Sequence, residues 1–393
     1  MSIKNILHIT SLLYLFTCFT LREYYLPFLE INIEVIVSLL FSFFLLLYIL
    51  ITGKIIAPPP TLVLYLIYWI LLICLALAAF ITSGNLNILR YILFIVPIVS
   101  ISLLYINNDK FLNSTLTLVK IAVILQLTVS LTAFIDLSVG TNIYTTLREI
   151  LSKFSNDPAQ FITHASLRSQ GVFYNSSSLA SLGLFAIGFN ILFFQKPTLW
   201  LLICSSILVV LSGSRVPLIC LVIFLTLYKG VNYKKIALFS IFSIILFIFF
   251  YYIDIDLLVD MFSRIIRVYD NGFHNDYSLS YRMNILWPEA LSKTEDYHLG
   301  TLTNPVQIVG VIDSGYLTVY IQGRWLLLAG LFISILTLSI ISLYDYIKNG
   351  NLFFFLIPLY IILGMIISNP ITNPLIIIIT FLYISKYSRK IKF

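Results

Sequence analysis

The chain has 393 residues, 60% of them hydrophobic and only 10% charged, against roughly 25% charged in a soluble domain; this excludes an ordinary water-soluble fold and predicts an integral membrane protein. The formal charge of +7 does not imply a nucleic-acid partner, because the one basic run with interleaved aromatics is the C-terminal KYSRKIKF, which reads as the cytosolic flank of a last helix. The four cysteines, Cys18, Cys74, Cys204 and Cys220, all fall inside apolar runs and read as small core residues, not as a disulfide framework or metal set.

Apolar runs of roughly 20 residues recur along the whole length. They predict twelve spans, at about 5–21, 31–52, 61–82, 88–106, 116–138, 177–194, 198–212, 215–228, 236–252, 316–343, 352–368 and 374–385. The first run is followed by Leu21-Arg22-Glu23 and offers no small-residue cleavage site, so it reads as a span and not as a signal peptide. The expected fold class is all-α: a polytopic integral membrane protein with about 12 transmembrane helices, forming a single membrane domain over 1–393. Two connections are long, 139–176 and 253–315.

Lysine sets the orientation. With the N-terminus inside, the inner segments hold Lys4, Lys54, Lys110, Lys196, Lys229, Lys234, Lys235, Lys348, Lys386, Arg389, Lys390 and Lys392. That agrees with the positive-inside rule, puts both termini in the cytosol, and turns both long loops outward. In a Gram-negative cell this means the periplasm, with the chain in the inner membrane. The outer cations are of another kind: Arg22, Arg90, Arg148, Lys153, Arg168, Arg215, Arg264, Arg267, Arg282, Lys293 and Arg324. Topology needs only positive charge, which lysine supplies. Arginine adds a planar fork suited to phosphate or carboxylate, so the outer face reads as an anion-holding surface. The bland reading is that these arginines pair with loop acids such as Asp157, Asp254, Asp260 and Glu295.

Three stretches carry the chemistry. In RSQGVFYNSSSLAS (168–181), Arg168 supplies charge, Gly171 permits a tight turn, and Ser176, Ser177 or Ser178 can cap the following span. A helix N-terminus beside an arginine favours an anion. In LSGSR (211–215), Gly213 and Ser214 break one span and Arg215 begins the next. An arginine at that depth is costly and does not shed its proton. The third stretch runs from YRMNILWPEALS (281–292), with Arg282, through His298 to DSGYL (313–317) and QGRW within the span that follows. Asp313 stands at the water–membrane boundary as a helix cap or a proton-handling group, with Ser314 and Tyr316 beside it. In the second loop, LLVDMFSRIIRV (257–268) has the period of an amphipathic surface helix, and 278–293 has a second helical pattern interrupted by Pro288. Together they read as a lid. Asp254 and Asp256 form a DxD at a span end, which reads as a polar helix exit more readily than as a metal site.

RSQGVF, LSGSR, the R…W..AL…LG pattern and DSGYL…QG, in this order and on one membrane face, resemble the family of O-antigen polymerases and O-antigen ligases. The resemblance covers roughly residues 160–335; the remaining spans match only as generic membrane helices. It implies a GT-C-like helical fold and a metal-independent glycosyl transfer outside the membrane, with no cofactor. The implied donor is an undecaprenyl-diphosphate-linked oligosaccharide held at the membrane lipid surface, and a chain-length-determinant protein is a further partner the family allows. It assigns Arg168, Arg215 and Arg282 to the diphosphate, with Gly171, Ser214 and Tyr316 around the substrate. A leaving diphosphate gains charge that fixed guanidinium groups stabilise. Ligases of the family carry a histidine near the start of the late span, where this chain has Asp313, Ser314 and Tyr316. That departure favours polymerase over ligase and leaves Asp313 and His298 as the candidate bases. The runner-up activity is ligation to lipid A–core. The alternative of another class is a flippase for the same lipid, which the large outer loops and the scarcity of mid-bilayer charge disfavour.

Overall fold

The structure is a computed structural model; it describes residues 3–21, 24–26, 31–53, 58–84, 87–154, 169–173, 175–194, 196–228, 280–303, 305–310 and 312–388. Arg168, the DxD of Asp254 and Asp256, the pattern at 257–268 and the expected span at 236–252 lie outside the described residues.

The described chain is helical. In order it forms α1 (Ile3–Thr20), α2 (Ile33–Thr52), α3 (Pro60–Ser83), α4 (Asn87–Tyr105), α5 (Asp109–Val139), α6 (Ile143–Ser152), α7 (Ser176–Phe193), α8 (Leu199–Leu211), α9 (Arg215–Leu227), α10 (Trp287–Lys293), α11 (Val306–Val309), α12 (Gly315–Asn349), α13 (Phe353–Leu356), α14 (Pro358–Ile367) and α15 (Pro374–Ser388). Among the described residues one two-residue ladder, Tyr25–Leu26 against Ile31–Asn32, is the only sheet, and it is antiparallel. Six helices, α1, α2, α3, α5, α7 and α12, are long and apolar enough to cross a membrane, and five shorter apolar stretches accompany them. The protein is therefore a helical, membrane-embedded chain.

α7 and α15 form the centre: nearly every residue of each is buried. They need no polar face, and their sequences offer none. Two devices let apolar helices pack this closely. At Gly183 an added Cβ would stand 2.7 Å from the carbonyl oxygen of Ser205, so the missing side chain is what admits α8 against α7. In α4, Pro97 has no N–H to give the Leu93 carbonyl; the Ser38 hydroxyl of α2 donates to that oxygen instead.

The helices define two ends. At one, Lys386 of α15 donates to Leu192 O of α7, Thr61 of α3 meets Ser388, and Tyr383 donates to Asp345 of α12 at 3.1 Å. At the other, Ser169 N donates to Leu211 O at 3.2 Å, Tyr24 Oη to Val172 O at 2.7 Å, and Gly315 N to Ser368 O at 2.9 Å. We refer to these as the lysine end and the loop end. Among the described residues the lysine end carries Lys4, Lys110, Lys196, Lys348 and Lys386, and the loop end Arg148, Lys153, Arg215, Arg282, Lys293 and Arg324, with Lys120 between them in mid-α5.

The structure corrects four sequence expectations. The stretch 139–176 is not loop throughout, because α6 occupies 143–152. α7 is capped by Asn175, whose Oδ1 accepts from Ser178 N at 2.8 Å, and not by Ser176, Ser177 or Ser178; the amide oxygen of the preceding residue reaches the third N–H of the helix, which a serine already inside the helix does not. α12 is likewise capped by Ser314 and not by Asp313. Cys74 is exposed on the outside of α3, not in the core, although all four cysteines are free.

Candidate functional site

The loop end is assembled from four segments. The first is the turn at 169–173. Gly171 has φ +58° and its Cα faces Gln126 of α5, so any side chain would strike Gln126 Oε1. The same oxygen accepts from Val172 N at 2.7 Å. Gly171 thus serves as a turn residue seated on α5 and offers no group to a ligand.

The second segment is α6, which approaches that turn from the side. Asp136 holds its start: one carboxylate oxygen accepts from Thr141 Oγ1 and Ile143 N, the other from Tyr144 N and Thr145 N, at 2.6–3.1 Å. Partial burial raises the carboxyl, but these bonds, Thr141 foremost, outweigh it and leave Asp136 below its ordinary value. Further along α6, Arg148 is only 1% exposed. Its Nη1 donates to Phe173 O at 2.7 Å and its Nη2 to Gln170 Oε1. α6 therefore clamps the 169–173 turn through a buried guanidinium that the sequence presents only as one more outer cation. The period of Ile143, Leu147, Ile150 and Leu151 was the signal that could have found this helix.

The third segment is the turn between α8 and α9. Gly213 takes φ +59°, Ser214 N donates to Ser212 Oγ at 3.2 Å, and Arg215 is the first residue of α9, partly exposed. Ser214 is nearly buried and its side chain makes no capping bond. α9 packs on α13 and α14, and α14 ends where α12 begins.

The fourth segment runs from Ser280 to the start of α12. Pro288 cannot donate to the carbonyl four residues back, and the chain widens instead into a π turn over Arg282–Leu286, closed by Trp287 N donating to Arg282 O. This turn presents Arg282, whose Nε donates to Asp313 Oδ2 at 2.8 Å. Two of the residues expected in the site are thus in direct contact. Asp313 immediately precedes the Ser314 cap, and Gly315 and Ser314 both rest on the end of α14, at Ser368 O and Met365 O. Tyr316 faces away: its hydroxyl donates to Ile362 O at 3.1 Å and its ring stacks on Phe332. That places it in the packing of α12 on α14 and not among ligand-facing groups.

His298 does not join the Arg282–Asp313 pair. It lines an open groove of about 530 Å³ with Leu291, Ser292, Glu295, Tyr320, Arg324 and Trp325. Arg324, inside α12, has φ +49°. Its guanidinium donates to Tyr297 O at 2.9 Å, to Thr294 O and to Glu295 O, closing the carbonyl end of α10. Sequence alone marked Arg324 as an outer cation; the backbone break at Gly323–Arg324 was not readable from QGRW. Among the described residues no three His, Cys, Asp or Glu gather as metal ligands.

The loop end therefore combines a clamped turn, a helix headed by an arginine, an arginine–carboxylate pair and an aromatic groove. No family model, curated protein or solved structure matches this chain.

Proposed function

We propose that the protein is a glycosyltransferase of the bacterial inner membrane that polymerises undecaprenyl-diphosphate-linked oligosaccharide repeat units into O-antigen or a related surface polysaccharide. In this reading the twelve expected helices span the membrane, the lysine end is cytosolic, and the loop end is periplasmic. The observation that carries it is the Arg282–Asp313 contact at 2.8 Å: a guanidinium and a carboxylate from distant parts of the sequence, brought together at the end where Arg215 heads α9.

Helix length supports a recessed site. α8 and α9 have 13 residues each, about 20 Å at 1.5 Å per residue, against a hydrocarbon core of about 30 Å. With Lys196 at the inner surface, the turn at Gly213–Ser214 lies below the outer one. Arg215 then keeps its charge in a poorly hydrated place, where an anion stabilises it most. A polyprenyl diphosphate presents its charges at that depth while its tail stays in lipid.

The chemistry follows. An acceptor sugar hydroxyl attacks the anomeric carbon of the donor. The new glycosidic C–O bond forms as the bond to diphosphate breaks, and the hydroxyl proton passes to a base. Arg215 and Arg282 stabilise the charge growing on the departing diphosphate. Asp313 holds Arg282. When the diphosphate takes that guanidinium, the released carboxylate is free to accept the hydroxyl proton. No step calls for a metal.

The test is the glycolipid profile of a deletion strain on a gel. Core capped with a single repeat is the expected result. Bare core would instead mark a ligase if long chains accumulate on the polyprenyl carrier and a flippase if they do not, and an unchanged long-chain ladder would remove the protein from glycan assembly.

A further inference from the structure

We propose that the groove at the kink of α12 is a carbohydrate subsite, in which a pyranose ring of the glycan stacks on Trp325 and its hydroxyls meet Glu295, His298 and Ser292. The proposal rests on the glycan-assembly reading above.

The groove has the composition that a sugar needs and a phosphate does not. Its walls are two aromatic rings, Tyr320 and Trp325, with centroids 5.2 Å apart and planes at 71°. Trp325 is 71% exposed. A pyranose has one face of C–H bonds, which suits an aromatic plane, and a rim of hydroxyls, which suits carboxylate, imidazole and hydroxyl groups. Glu295, His298 and Ser292 line the same groove and are all exposed.

Among the described residues that line the groove, the one cation, Arg324, is largely committed to the backbone. Arg324 directs its guanidinium at three backbone carbonyls, those of Tyr297, Thr294 and Glu295, and over the Tyr320 ring at 5.3 Å. With three of Arg324's contacts spent on carbonyls and Glu295 offsetting its charge, the groove gives a phosphate headgroup no net attraction, whereas a neutral sugar finds hydrogen-bond partners.

The backbone makes the same point. Gly323 (φ −145°, ψ 21°) and Arg324 (φ 49°, ψ −146°) leave the helical conformation and divide α12 into two helical pieces across a kink. A non-glycine residue with positive φ is unfavourable and persists where surrounding contacts impose it. The break lets Arg324 tie the 294–297 segment to the helix, and it turns Trp325 outward beside that segment. The volume of about 530 Å³ lies within the roughly 300–1,000 Å³ of small-ligand sites.

The test uses the full chain in lipid nanodiscs. The probe is the lipid-free oligosaccharide repeat, released by mild acid from the host's own surface glycolipid. Saturation-transfer NMR and tryptophan fluorescence report binding. Wild-type protein is expected to bind saturably, Trp325→Ala to weaken binding at least tenfold, and Glu295→Gln several-fold. Trp325→Phe, which keeps a ring in place, is expected to retain most of the binding and guards against misfolding. No saturable binding by wild type, or equal binding by Trp325→Ala, would overturn the subsite. Failure of the functional reading looks different: the deletion strain keeps a normal glycan ladder, whatever the groove binds.

Discussion

Arg282 and Asp313 stand 31 residues apart in sequence and 2.8 Å apart in space. The contact joins a π turn made by Pro288 to the residue that precedes the α12 cap. Neither partner is buried: their side chains keep 26% and 36% exposure. An ion pair so exposed contributes about 0–1 kcal/mol to stability, so its value lies in placing two charged groups and not in holding the fold.

Asp313→Asn therefore separates chemistry from stability. The variant should melt within about 4 °C of wild type, while chain elongation falls by about 10²–10⁴-fold, the range for loss of a general base. Thermal unfolding of the purified protein and a glycolipid gel from the complemented deletion strain measure the two. Long chains at normal abundance would take Asp313 out of the site.

Gly171→Ala meets two obstacles at once. The φ of +58° is unfavourable to any L side chain, by about 1–2 kcal/mol, and the new methyl strikes Gln126 Oε1. We expect lower membrane yield and a lower melting temperature. Gln126→Ala in the same chain should recover part of the loss by removing the collision, and leave the backbone part. Full recovery, or no loss to begin with, would contradict the seating of this turn on α5.

Arg148 is expected to be structural. Truncation to Ala leaves Gln170 Oε1 and Phe173 O without their charged donor. Each such bond is worth roughly 1.5–3 kcal/mol, so the variant should lose about 3 kcal/mol or more. Hydrogen exchange over 169–173 should rise sharply in a folded fraction. Exchange unchanged in that segment would show that α6 does not clamp it.

The start of α6 should respond to acid. Asp136 has a depressed pKa in the folded chain relative to its ordinary 3.8. Its stabilising contribution is fully present above that ordinary value, and is lost as pH falls through the lower, folded-state value. Protection of the amides of Ile143, Tyr144 and Thr145 should therefore hold at neutral pH and fade only in strongly acidic buffer. In Asp136→Asn the same amides should already be weakly protected at pH 7.

Much of the fold could be read from hydropathy, because a membrane selects long apolar helices and the length of the run gives the helix. Eleven apolar helical stretches are described, six of them of spanning length. The details that escaped depend on atoms distant in sequence. α6 reads as loop because its charged residues obscure a short amphipathic period, and Arg148 reads as a surface cation until Gln170 and Phe173 fold over it. Asn175 and Asp313 each stand one residue from a serine that competes for the same cap. Arg282 was marked by motif, yet its pairing with Asp313 depends on the π turn. The left-handed backbone of Arg324 and the groove it creates have no sequence signature.

The most direct measurement concerns the fork of Arg215. Purified protein in nanodiscs is given a polyprenyl-diphosphate-linked repeat unit, and the rate of chain elongation is compared between wild type and Arg215→Lys. Lysine keeps the charge and loses the planar pair of donors. If the loop end grips the departing diphosphate, elongation slows by about 10²–10³-fold while the melting temperature holds. Equal rates in the two proteins would contradict a diphosphate held by Arg215.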